Sequence, residues 1–110
     1  MRNSTSKYHS KKVIYNGIRF DSKKEMNFYI KLKMLEKAKK IRNLQLQKKY
    51  ELQPSFKING KTVRSINYIA DFVYEDTKVH IIDVKGFRTD VYKLKKKMFE
   101  YKYGIEIEEL

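Results

Sequence analysis

Two segments decide the fold: Ile66-Asn-Tyr-Ile-Ala-Asp-Phe-Val-Tyr-Glu75 and Val79-His-Ile-Ile-Asp-Val-Lys85, joined by Asp76-Thr77-Lys78 and stopped by Gly86. Both are rich in β-branched and aromatic residues, which favour strands. In the first, Ile66, Tyr68, Ala70, Phe72 and Tyr74 alternate with Asn67, Ile69, Asp71 and Val73. Both faces are mostly apolar, which predicts a central strand covered on both sides. Yet Asp71 sits between Ile69 and Val73, and Asp83 follows Val79 and Ile81 on its own face. A buried carboxylate is costly unless it is paired or binds a metal.

Hairpin geometry links the two acids. Pairing Glu75 with Val79 leaves a three-residue loop and sets Asp71 opposite Asp83, with Cβ atoms ~5 Å apart. A two-residue loop would put them on opposite faces. Two carboxylates this close repel unless one is protonated or a cation joins them. A hard divalent metal with oxygen ligands satisfies both. Lys85 projects from the face of Asp83. The plainer alternatives are a strand-edge Asp71 bonded to a loop and an ordinary ion pair between Asp83 and Lys85.

Outward from this centre, Asn16-Gly17 lies between Val13–Tyr15 and Ile18–Phe20, and Asn59-Gly60 lies between Phe56–Ile58 and a strand from Thr62 to Glu75. Asn-Gly between apolar runs marks a hairpin. A helix is predicted from Asp21-Ser22 to about Lys40, with Phe28, Leu32, Leu35 and Ala38 at helical spacing. Glu25 falls along that apolar stripe; it either completes a capping box with Ser22 or leans over the two aspartates. Leu44 to Gln53 predicts an irregular strand, Asp90 to Tyr103 a second helix ended by Gly104, and Ile105 to Glu108 a last strand. That strand can lie parallel to Val79–Lys85, since a helix joins them. The class is α+β: a short hairpin, then helix, three antiparallel strands, helix and strand in a mixed central sheet. Residues 1–12 are expected to be a flexible basic arm and residues 13–110 a single domain.

The chain of 110 residues carries 26 Lys and Arg against 13 Asp and Glu, a net charge of +13. Such charge opposes compaction and calls for a polyanionic partner, most simply nucleic acid. Fifteen Tyr and Phe argue against global disorder. No apolar run is long enough to span a membrane, no lipidation motif is present, and the polar N-terminus lacks a secretory signal. Without cysteine there is no disulfide, thiolate metal site or thiol nucleophile. His9 and His80 are too few and too scattered for zinc.

Ala70-Asp71, eleven residues, then Asp83-Val84-Lys85-Gly86 resembles the PD-(D/E)XK nuclease signature, with Ala70 where the signature has proline. Phe20–Glu25, Leu52-Gln53-Pro54, Tyr68–Phe72 and Val91–Lys97 extend this likeness to a small phage-encoded domain family of unknown function. That family is similar to Holliday-junction resolvases and phage endonucleases. The resemblance implies a restriction-endonuclease-like core and a Mg²⁺-dependent DNA endonuclease, with Mn²⁺ as substitute, in the cytoplasm of a bacterial host. Asp71, Asp83, the Val84 carbonyl and Glu25 would hold the metal, and Lys85 would orient or activate water. Branched or junction DNA would be the substrate and a homodimer the working form, with no membrane partner.

The DNA path is expected along Lys11 and Lys12 of the arm, Arg88 and Thr89 after Gly86, and Lys93, Lys95, Lys96 and Lys97 on the second helix. That helix has an apolar arc of Val91, Leu94, Met98 and Tyr101, extended by Tyr92 and Phe99. Lys95 falls inside the arc, where it either snorkels or grips a phosphate. The competing functions are a nucleic-acid-binding accessory protein without catalysis and an RNA-binding protein that stacks bases on tyrosine. Most tyrosines fall at core-facing positions, which weakens the last.

Overall fold

A computed structural model describes residues 11–84 and 87–110. It is a mixed α+β structure with two helices and eight strands among the described residues. The chain forms two compact units, Met1–Arg42 and Asn43–Leu110.

In the first unit, β1 (Val13–Tyr15) and β2 (Ile18–Phe20) pair antiparallel around Asn16-Gly17. Both turn residues have positive φ, +53° and +75°, as a type I′ turn requires. Helix α1 (Lys23–Lys37) starts at Ser22, whose side chain accepts the Glu25 N–H. It buries Glu25, Tyr29 and Leu32, a stripe turned toward Tyr29 rather than Phe28. Phe20 and Tyr15 both meet the Tyr29 ring, at 5.2 and 6.4 Å between centroids.

The helix expected to reach Lys40 ends three residues earlier. Lys39 has φ +61°; its N–H bonds the Glu36 carbonyl, and the Lys40 N–H reaches back to Leu35. These two bonds make a Schellman motif with a lysine in the left-handed position where glycine is usual. The sequence has no glycine there to mark the stop.

In the second unit the sheet order is β3-β6-β7-β8. β3 spans Arg42–Gln53, β6 Ile66–Glu75, β7 Val79–Asp83 and β8 Ile107–Glu109. β3 passes through two left-handed residues, Asn43 and Gln47, consistent with the expected irregularity. The strand expected from Thr62 to Glu75 is broken at Arg64-Ser65. Its first part, β5 (Lys61–Val63), pairs only with β4 (Phe56–Ile58) in a separate ribbon.

β6 and β7 pair antiparallel with Glu75 opposite Val79, the loop Asp76–Lys78 between them and Phe72 opposite Ile82, the expected register as far as the slip at Asp71-Phe72. β7 and β8 lie parallel, Ile81 opposite Ile107. The crossover between them is α2 (Asp90–Tyr103), with Thr89 as N-cap and Gly104 as left-handed C-cap.

The core joins Leu52, Tyr68, Ala70, Val73, Ile81, Tyr92, Phe99 and Ile107. Tyr68 and Ala70 share it with Val73, so the alternation of β6 slips by one residue around Asp71-Phe72, as at a β-bulge. Ile69 is correspondingly 50% exposed, so β6 is not apolar-covered on both sides along its whole length. α2 is also rotated from the expected arc. Tyr92 and Phe99, two turns apart, are buried, while Val91, Leu94 and Tyr101 are exposed.

Candidate functional site

The end of β7 gathers the polar groups of the second unit. Asp83 is its last residue and is 1% exposed. Its backbone carbonyl accepts the Leu110 N–H at 2.9 Å, which ties the edge of β8 to it. Its Oδ2 accepts the Tyr68 hydroxyl at 2.6 Å. Burial first, and the bond to Asp83 second, raise the Tyr68 phenol far above its ordinary pKa, so this hydroxyl donates and does not ionise. Strict alternation would put Tyr68 and Asp83 on opposite faces. The slip at Asp71-Phe72 is what brings them together.

Asp71 is half-buried on the neighbouring strand. Its Oδ2 accepts the Val84 N–H at 2.7 Å, and its Oδ1 accepts Gln47 Nε2 at 3.3 Å. The first bond fixes its carboxylate at the residue next to Asp83, and both acids act electrostatically on the Tyr68 phenol. Asp71 is therefore held at the strand end that carries Asp83. The plainer alternative for Asp71, a bond to the chain leaving the strand, is also present in that contact with Val84. Lys85 and Gly86 lie outside the described residues, as does the arm before Lys11.

Glu109 is a carboxylate that sequence reasoning missed. It stands opposite Asp83 in the parallel register. Its Oε2 accepts the Tyr92 hydroxyl at 2.7 Å and Lys96 Nζ at 3.1 Å, and its Oε1 lies 2.9 Å from Arg88 Nε. The Tyr92 bond above all, helped by Lys96 and Arg88, lowers the Glu109 pKa. A signal for it was present: aligning Ile107 with Ile81 in a parallel pair places Glu109 against Asp83. Tyr68 gave no such signal, since the slip hides it.

Several residues expected on the DNA path are engaged otherwise. Arg88 and Lys96 are held by Glu109. The Thr89 hydroxyl oxygen accepts the Tyr92 N–H as the helix cap. Lys93 and Lys97 are exposed, and Lys95 is half-buried beside an apolar groove with Ile69, Val91, Leu94 and Met98. In the first unit Lys12 pairs with Asp21 at 2.9 Å, and Lys11 is exposed. There too, buried Glu25 accepts the Asp21 N–H at 3.3 Å, so its carboxylate reaches one residue further back than a standard capping box.

Among the described residues no group of three or more His, Cys, Asp and Glu is placed to hold a metal. Mg²⁺ commonly takes one or two carboxylates and completes its shell with water and phosphate oxygens, so Asp71 and Asp83 are the residues that would hold it. No helix among the described residues is long and apolar enough to cross a membrane. No curated protein and no solved structure matches the chain. A family model described as "Protein of unknown function (DUF1064)" matches residues 5–108, so the chain belongs to that family.

Proposed function

We propose that the protein is a Mg²⁺-dependent DNA endonuclease with a PD-(D/E)XK-like site on a restriction-endonuclease-like core, acting on branched DNA. The observation that carries this reading is the Asp71 carboxylate bonded to the Val84 N–H, beside buried Asp83, at the start of Asp83-Val84-Lys85-Gly86. The net charge of +13 supplies the affinity for a polyanion.

In this reading Asp71 and Asp83 hold the metal, with the Val84 carbonyl as a further oxygen. When bound, Mg²⁺ supplies Lewis-acid stabilisation of the phosphate oxygens and a more acidic water. The chain itself does the positioning. Tyr68 donates to Asp83 Oδ2, which fixes the carboxylate's rotamer. The Val84 N–H fixes Asp71 in the same way. Lys85, by the resemblance, would supply a positive charge to the phosphoryl oxygens. Exposed Lys93 and Lys97 contact phosphates and orient the duplex without reading bases.

A second reading, a nucleic-acid-binding accessory protein without catalysis, draws on the same geometry. Tyr68 and the Val84 N–H already occupy acceptor sites of the two acids. One experiment separates the readings. Purified protein is incubated with labelled four-way junctions and linear duplexes in Mg²⁺, Mn²⁺ or EDTA, beside Asp83→Asn and Lys85→Ala. Cleavage in metal, abolished by EDTA and lowered ~100-fold or more by Lys85→Ala, supports the nuclease. Tight binding with every substrate left intact supports the accessory protein.

A further inference from the structure

Among the described residues the ribbon of β4 and β5 pairs with no other sheet, and residues 54–62 are all exposed. Its turn, Asn59-Gly60, has φ of +51° and +75°, the type I′ geometry that preserves strand twist to the tip. Phe56 and Ile58 are 45% and 56% exposed. They share one face with Lys61 and Val63, since Phe56 pairs with Val63 and Ile58 with Lys61. A two-stranded ribbon with no third layer is marginally stable in water. Two large apolar side chains shown to solvent on its strands mark a contact surface.

Charge identifies what the surface contacts. Between Glu51 and Asp71 the chain has Lys57, Lys61 and Arg64 and no acid. All three are exposed, and none has a side-chain hydrogen bond or ion pair among the described residues. Lys96 and Arg88, by contrast, are held by Glu109.

We propose that the β4–β5 ribbon is a DNA-binding arm that enters the major groove. Lys57, Lys61 and Arg64 hold phosphates, while Phe56 and Ile58 pack on base edges and thymine methyl groups. The inference rests on the chain being a DNA-binding protein and not on its being a nuclease. Dimensions agree. Strands of three residues at about 3.3 Å each reach roughly 10 Å. The major groove is about 12 Å wide and 8.5 Å deep and admits a two-stranded ribbon, whereas the minor groove, about 6 Å wide, does not without distortion.

The test measures fluorescence anisotropy of a labelled synthetic 20-base-pair duplex and a four-way junction, titrated with the full chain over a series of salt concentrations. The variants are Lys57→Ala/Lys61→Ala/Arg64→Ala and, separately, Phe56→Ser/Ile58→Ser. Circular dichroism and melting of both should match the wild type, because the ribbon lies outside the core. The triple variant should flatten the plot of log affinity against log salt by about 2 to 3, from a contribution of about 0.9 per phosphate contact. The apolar variant should weaken binding about tenfold with its slope unchanged.

An unchanged slope in the triple variant, with wild type binding DNA, overturns the arm and leaves the proposed function with another DNA path. A flattened slope in a protein that never cuts DNA supports the arm and removes the nuclease. Wild type that binds neither DNA at low salt overturns both. Should Phe56→Ser/Ile58→Ser alter sedimentation of the DNA-free protein while anisotropy stays the same, the ribbon joins two copies of the chain and the proposal fails.

Discussion

Glu109 faces Asp83 across the parallel β7–β8 pair and holds Arg88 and Lys96 on its two oxygens. It therefore withdraws two cations from any phosphate near the aspartates. Replacing it with glutamine, Glu109→Gln, keeps an acceptor for the Tyr92 hydroxyl but releases the charge of both partners. Affinity for DNA at low salt should rise, and the salt slope should steepen by up to about 2. Anisotropy titrations measure this. An unaltered slope would mean that neither Arg88 nor Lys96 reaches DNA when freed.

Lys93 and Lys97 are exposed on α2, whereas Lys96 is occupied. Lys93→Ala/Lys97→Ala should flatten the salt dependence by about 2. Adding Lys96→Ala should change it little further. A larger effect from Lys96 than from the other two would show that its bond to Glu109 yields to phosphate.

The buried bond from Tyr68 to Asp83 should have a measurable stability. Tyr68→Phe removes the donor and keeps the ring against Phe99 and Tyr92. Urea unfolding should show a loss of about 1–3 kcal/mol, the scale for a buried hydrogen bond to a charged group. In a cycle with Asp83→Asn the two losses should not add. Additive losses would show that the contact contributes nothing.

His80 offers a pH signature. Its Nδ1 lies 2.6 Å from Glu108 Oε2 and its Nε2 lies 2.9 Å from Asp76 Oδ1, with Tyr74 stacked on the ring at 4.6 Å. Burial pulls its pKa down, but the Glu108 and Asp76 contacts outweigh this and raise it above 6.5. Because the folded value exceeds the unfolded one, the stabilisation is complete below about pH 6.5. It is lost as pH rises through the folded value. The stability difference between wild type and His80→Gln should thus be larger at pH 6 than at pH 9. Equal differences at both would show that His80 stays neutral.

Lys39 occupies the left-handed position of the α1 Schellman motif. Glycine has no Cβ to clash there, and the left-handed conformation costs other residues about 1–2 kcal/mol. Lys39→Gly should accordingly raise the melting temperature by a few degrees. A fall would place the motif's stability in the lysine side chain.

The hairpins, the β6–β7 register, the span of α2 and the parallel closing strand were legible because each rests on local chemistry. Asn-Gly pairs demand particular turns, and Gly104 supplies the left-handed cap. The end of α1 was not legible, since a lysine takes a conformation that only glycine advertises. The buried face of α2 was misjudged because Val91 and Leu94 are apolar by composition yet exposed, while Tyr92 and Phe99 fill the core. Asp71 and Asp83 stood out as acids among apolar residues. Tyr68, the partner of Asp83, did not, because a one-residue slip is a tertiary event that strict alternation cannot represent. Glu109 required the pairing of two strands far apart in sequence.

The loop Asp76–Lys78 also sets an order in time. Closing three residues is fast, so β6 and β7 can meet on the microsecond scale of a hairpin. β8 must return over the whole of α2, at a greater loop-closure cost. Asp71 and Asp83 therefore approach each other before Glu109 arrives with Arg88 and Lys96. For that interval the two aspartates stand without the third carboxylate and the two cations that it holds.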